Sequence, residues 1–260
     1  MGRRILVEYD IISGRTVERR RTHMTMRYSW EPAARRGKRC AESTQKKIEA
    51  NERERVRQLA RTLNCNFGKG DIWVTLKWGD ERMPGSWAEA KKEVAAFLRK
   101  ARETCRKELG TDLRYVWAPG KVNPRTGEPA RKHIHIVMDR IGWETVCAIW
   151  PEGEVDYRYL DGRGDYTGIA RYMVSNAGRT EKGKRAYSCS RGLKKPVYTE
   201  PVAVDDAETV RAPKDTEVME RVILQDEISG EMSAYLRFVR PVRKPGKRRG
   251  AGGVPGEAGR

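Results

Sequence analysis

Nowhere in the 260 residues does an apolar run approach the ~20 needed to span a bilayer, so a helical membrane span is excluded. The opening Met1-Gly2-Arg3-Arg4 has no apolar region of the signal-peptide kind, and a cytoplasmic protein without membrane contact is expected. Cysteines number five, scattered at 40, 65, 105, 147 and 189 with no CxxC pair. That speaks against a zinc ribbon and a disulfide framework, and leaves them as small, mostly buried residues. There is no GxxxxGK[ST] phosphate loop, so any nucleic-acid unwinding would come from a partner. Histidine occurs only three times.

Charge is plentiful and lopsided. Lys and Arg total 54 against 36 Asp and Glu, a formal net charge of +18, and charged residues make up 35% of the chain. Such an excess suits a polyanion, either nucleic acid or an anionic membrane surface. Hydrophobic content of 38% over this length still allows a sizeable core in one or two domains.

Periodicity divides the chain. Ile5 to Tyr9 and Thr16 to Glu18 read as strands about Ser13-Gly14, followed by Arg19, Arg20 and Arg21 as an exposed basic edge. Glu42 to Leu63 reads as a densely charged helix with Ile48, Val56, Leu59 and Leu63 along one stripe, either covering the core or facing DNA. Asp71 to Trp78 is a β-branched and aromatic strand. Ser86 and Glu89 form a capping box opening a helix that carries Trp87, Val94, Phe97, Leu98, Ala101 and Cys105 on one face. Tyr115-Val116-Trp117 and the stretch ending at Met138 are most simply an antiparallel pair joined by a loop at 123–127. A short helix from Gly142 to Trp150, a strand at Val155 to Leu160 and a helix at Tyr166 to Val174, N-capped by Asp165, follow. Val197 to Val204, Val218 to Leu224 and Met232 to Val239 read as further strands. The sum is an α+β fold with a largely antiparallel central sheet and flanking helices. Its divisions are 1–64 (strands and the charged helix), a core over 65–200, C-terminal strands over 201–240 packed on that core, and a disordered basic tail over 241–260.

Two local features carry chemistry. In Lys132-His133-Ile134-His135-Ile136-Val137-Met138, strand alternation puts both imidazoles on one face and the isoleucines on the other. Imidazoles at i and i+2 can ligate one divalent ion, or stand as a polar pair on a solvated face. In Gly168-Ile169-Ala170-Arg171-Tyr172-Met173-Val174, side chains lean toward the helix N-terminus, so Tyr172 lies over Gly168 with open space beside the phenol. A core tyrosine at a tight helix contact fits the same residues.

The order of these parts, a strand with Thr75-Leu76, then His-Ile-His, then Ala170-Arg171-Tyr172-Met173, resembles the HUH endonucleases. More narrowly, the chain resembles the rolling-circle replication initiators of bacterial plasmids and phages. The likeness covers about residues 65 to 200 and takes in Trp150 with Gly153 and the Ser190-Arg191-Gly192-Leu193-Lys194-Lys195-Pro196 segment. It implies a ferredoxin- or RRM-like sheet with the histidines on a central strand. It also implies a divalent metal, Mg or Mn, held by His133 and His135, with Tyr172 as the nucleophile that nicks and rejoins DNA through a 5′-phosphotyrosine. Partners would be single-stranded or hairpin origin DNA and the host helicase and polymerase. Relatives commonly carry a glutamate where this chain has Ala118-Pro119, so the third ligand falls to Glu128. The lysine often found near the nucleophile is replaced by Ser175, and Arg171 or Arg179 would supply the charge. Gly168 stands where some relatives have another tyrosine, which implies a single-tyrosine mechanism with Tyr166 as an outside candidate. Arg171, Arg179, Lys184, Arg185, Arg191, Lys194 and Lys195, with Tyr187 and Tyr198 interleaved, would form a single-stranded DNA track. A non-catalytic basic nucleic-acid-binding protein or a single-tyrosine transposase are the alternatives. A histidine-triad enzyme would need a third histidine at Val137, and a two-histidine phosphoesterase a second His-x-Ser/Thr motif.

Overall fold

Alternation of apolar residues builds the strand on which the site is assembled. In β3 (Ile72–Lys77), Ile72, Val74 and Leu76 are fully buried, and the residues between them are half-buried. The computed structural model describes residues 4–25, 45–178, 185–226 and 229–242. β3 lies between β5 (Pro129–Met138) and β6 (Val155–Tyr159), and β5 is paired in turn with β4 (Tyr115–Val122) and β4 with β7 (Ser188–Cys189). Every pairing is antiparallel, and the strand order is β6-β3-β5-β4-β7.

Both faces of this sheet are covered. On one, Ile72, Val74, Leu76, Ile134, Ile136 and Met138 pack against Val94, Phe97, Leu98 and Ala101 of α2 (Trp87–Leu109) and Val146 of α3 (Trp143–Ile149). Ser86 Oγ accepts the Glu89 amide at 3.3 Å while the Glu89 carboxylate accepts the Gly85 amide at 2.9 Å, and Gly110 ends α2 at φ 65°. On the other face, Val116, Ala118 and Val137 meet Leu59, Ala60 and Leu63 of α1 (Gln45–Asn66) and Ala170, Met173 and Val174 of α4 (Thr167–Ala177). Each such large apolar side chain contributes about 1.5–3 kcal/mol through burial. α1 therefore covers the core. No described helix is long and apolar enough to cross a membrane.

The chain is α+β, with the single expected sheet becoming two antiparallel ones. β1 (Arg4–Ser13) and β2 (Thr16–Thr25) form a hairpin. The remaining strands are β8 (Val197–Tyr198), β9 (Val202–Ala203), β10 (Glu217–Gln225) and β11 (Met232–Val239). β11 pairs with β2 and with β10, while β8 and β9 pair with β1. The C-terminal strands thus join the N-terminal hairpin and do not extend the site-bearing sheet. Arg19, Arg20 and Arg21 are correspondingly no exposed edge. They lie mid-sheet and pair with Asp10, Glu18 and Glu8 at 2.9, 3.2 and 2.7 Å. The second sheet is tied to the helices by Arg61, which bonds Glu18 at 2.6 Å with both groups buried, and by Arg237, which pairs with Asp165 at the head of α4. The expected basic tail falls almost wholly in 243–260, outside the described residues.

Candidate active site

The register of three strands sets one row of side chains. Thr75 lies opposite His135 on one side and Asp156 on the other, all on the face toward α4. One step along, Trp73 is opposite Arg158, and His133 is opposite Lys77. The turn of α4 above brings Tyr172 over this row, 41% exposed. These residues line a cleft of about 480 Å³, with Arg131 and Lys132 at its mouth.

Both imidazoles are held from behind. His133 Nδ1 lies 2.8 Å from the Arg131 carbonyl oxygen, so Nδ1–H donates and Nε2 keeps its lone pair. His135 Nδ1 lies 3.1 Å from Thr75 Oγ1, which can accept in the same way. The two Nε2 atoms are 3.0 Å apart. Two nitrogens bound at about 2.1 Å and at right angles to a common ion are separated by about 3 Å, so the pair fits adjacent positions on a divalent metal. His135 is 1% exposed. Burial, and then the neighbouring His133, depress its pKa from 6.5 to about 3, which keeps it neutral and able to donate its lone pair. Gly120 lies opposite His133 on β4, and any Cβ there would fall 2.1 Å from the imidazole Nε2. A side chain at 120 would push this ring out of its position beside His135.

Tyr172 stands edge-on to His135, with ring centroids 5.0 Å apart, and to Trp73 at 5.7 Å. Asn176, one turn on and 2% exposed, donates to the Tyr172 carbonyl at 2.8 Å, and its side chain is near enough to His135 to raise the imidazole's pKa slightly against the larger effect of burial. Arg158 stacks on Trp73 at 5.9 Å, and Lys77 pairs with Asp156 at 3.1 Å.

The structure brings together His133, His135 and Tyr172. It does not bring Glu128 to them. That residue lies exposed in the loop before β5, its backbone bonded to Asn123 and Thr126. Five extended residues separate it from His133, about 16 Å, so it is out of reach of an ion held there. Asp156 is the carboxylate that shares the cleft. Among the described residues no group of three His, Cys, Asp or Glu is close enough to hold an ion, and the two histidines are the ligands that the cleft offers a metal.

The basic residues are also redistributed. Arg171 lines a different cleft, with Glu52, Arg57 and Arg237 between α1, α4 and the second sheet. Arg185, Arg191, Lys194 and Lys195 are exposed on the segment after α4; Arg191 sits beside Arg102 and Arg106, and the Lys194 backbone is held by Asn66. Arg179 and Lys184 lie outside the described residues. Tyr166 is buried beneath α4, away from the cleft. The cations beside Tyr172 are instead Lys77, Arg131, Lys132 and Arg158. Their signal was the alternation of β3 and β6, which sets Lys77 and Arg158 on the face that carries Thr75. No protein-family model, curated protein or solved structure matches this chain.

Proposed function

We propose that this protein is a metal-dependent DNA nicking and joining enzyme of the HUH type, acting as a rolling-circle replication initiator. The observation that carries the reading is one cleft in which the Tyr172 ring lies 5.0 Å from His135, whose Nε2 is 3.0 Å from that of His133. A divalent ion, Mg or Mn, held by these histidines would polarise a phosphodiester and offset charge in the transition state. Tyr172 Oη gives up its proton and attacks the phosphorus, the bond to the 3′ oxygen breaks, and that oxygen takes up a proton and leaves as a 3′-OH, so that no proton is gained or lost overall. The phosphorus remains on the tyrosine as a 5′-phosphotyrosine, so the bond energy is kept for rejoining. The free 3′-OH primes a host polymerase, with a host helicase opening the duplex, and the site of action is the cytoplasm.

This chain's own residues supply positioning and charge. Thr75 and the Arg131 carbonyl fix the imidazoles, Asn176 braces the helical turn that carries Tyr172, and Lys77, Arg131 and Arg158 offer cations to the strand's phosphates. Trp73 gives a flat wall beside the phenol.

The test incubates the full chain with labelled single-stranded oligonucleotides that include the element's own origin region, with Mn or with chelator, and resolves products on a denaturing gel. The expected result is a metal-dependent covalent adduct that is lost in Tyr172→Phe and falls at least about 100-fold in His135→Ala. An adduct that survives Tyr172→Phe discards this nucleophile. Absence of any adduct favours a non-catalytic nucleic-acid-binding protein.

A further inference from the structure

Among the described residues β6 is one of the two edge strands of the site-bearing sheet, and its two faces differ. Asp156 and Arg158 point into the cleft with Tyr172, whereas Tyr157 and Tyr159 point to the opposite face. There Tyr157 meets Trp143, the first residue of α3, and Tyr159 flanks Tyr157 on its other side. Trp143 and Tyr157 are edge to face at 5.8 Å between centroids, as are Tyr157 and Tyr159 at 5.3 Å, and Arg140 lies over Tyr159 at 5.5 Å.

This cluster is not a finished piece of core. Tyr157 is anchored, donating its hydroxyl to the Ile141 carbonyl at 2.7 Å, but the rings on either side of it are open, Trp143 at 48% and Tyr159 at 56% exposure. Two large rings braced at a sheet edge by a half-buried, hydrogen-bonded third, with a guanidinium alongside, make a surface suited to flat, electron-rich groups joined by anions. Single-stranded nucleic acid has that chemistry: base–aromatic stacking tolerates any sequence, and arginine adds phosphate and cation–π contacts. The chain's net charge of +18 favours the same partner. β6 is one strand wide, about 5 Å, so a strand leaving the cleft past Arg158 reaches these rings by crossing a single edge.

We propose that Trp143, Tyr159 and Arg140, braced by Tyr157, form a stacking site for single-stranded DNA on the outer face of β6, holding the strand that passes through the cleft. This rests on the nicking reading for the strand's direction of travel, but not for the existence of the surface. The binding mode is general, so it contributes affinity and grip and leaves choice of sequence to the cleft.

The experiment uses the full chain and a fluorescein-labelled oligothymidylate of about 20 nucleotides, longer than a typical single-strand site. Affinity is read by anisotropy, and melting curves are taken for each variant. Trp143→Ala and Tyr159→Ala should each weaken binding by about 5- to 100-fold with the salt dependence unchanged, while Trp143→Phe and Tyr159→Phe stay near wild type. Arg140→Gln should lower the salt slope by about one phosphate contact. Photocrosslinking of a bromodeoxyuridine oligonucleotide to the unmodified protein, with peptide mapping, should label Trp143 or Tyr159 and does not depend on how variants fold. Wild-type affinity in both alanine variants with crosslinks elsewhere overturns the stacking site, and adduct formation on origin DNA would then still support nicking. Loss of affinity in the alanine variants without any adduct on origin DNA overturns nicking and leaves the stacking surface standing. Duplex DNA competing as well as single strands overturns the single-strand assignment.

Discussion

His135 joins two demands in one side chain: it must be buried to be placed and neutral to donate its lone pair. Burial and the adjacent His133 hold its pKa at about 3, against 6.5 for a free imidazole. In the metal-free protein the sign follows from proton counting. Between about pH 6.5 and pH 3 the unfolded chain binds a proton at this residue that the folded chain refuses, so stability falls as pH is lowered through that window. The loss is of the order of a few kcal/mol. Urea unfolding followed from about pH 7 to about pH 4 should show this slope in the wild type and a flatter one in His135→Gln. Equal slopes would remove His135 as the cause.

The tyrosine helix α4 turns Ala170, Met173, Val174 and Ala177 inward and leaves Tyr172 at the cleft. Its N-terminus begins one residue later than the sequence pattern predicts, with Tyr166 in the capping position, yet Asp165 still accepts the Thr167 amide at 3.1 Å. Gly168 has the helical φ of any residue, and a Cβ added there meets nothing within 4 Å. Gly168→Ala should therefore raise stability by about 1 kcal/mol, visible as a higher melting temperature, because it restores helix propensity without a clash. A drop in melting temperature would mean that the space beside Tyr172 is filled by something that an added methyl disturbs.

The two sheets depend on each other through buried charge. Arg237 of β11 reaches Asp165 and, at 2.9 Å, Thr167 Oγ1 at the start of α4, and reaches Glu220 of β10 at 3.2 Å. The side chains of Arg237 and Asp165 are only 10% and 6% exposed. Arg237→Gln leaves a carboxylate buried without its cation, for an expected cost of about 3–5 kcal/mol in equilibrium unfolding. Because Asp165 heads the helix that bears Tyr172, the same substitution should also slow adduct formation on origin DNA. A variant as stable and as active as wild type would show that the C-terminal strands are an independent appendage.

Local patterns were enough to read β3, α2, the histidine strand β5 and the tyrosine helix, because alternation and 3.6-residue stripes are written within each segment. The same alternation placed His133 and His135 on one face. Four things were not local. The acid of the cleft is Asp156 and not Glu128, since strand pairing across β3, and not nearness in sequence, decides what faces His135. Arg171 and Tyr172 are neighbours in the chain that open into different clefts, because successive helical residues point about 100° apart. Arg19 to Arg21 lie inside a sheet because β11, more than 200 residues later, pairs beside them. Asn176 comes near His135 only once α4 has packed across the sheet on β4. Pattern along the chain sets the type of each element and which of its faces is apolar. Which polar groups meet across those faces is set by register and packing between segments that carry no record of one another.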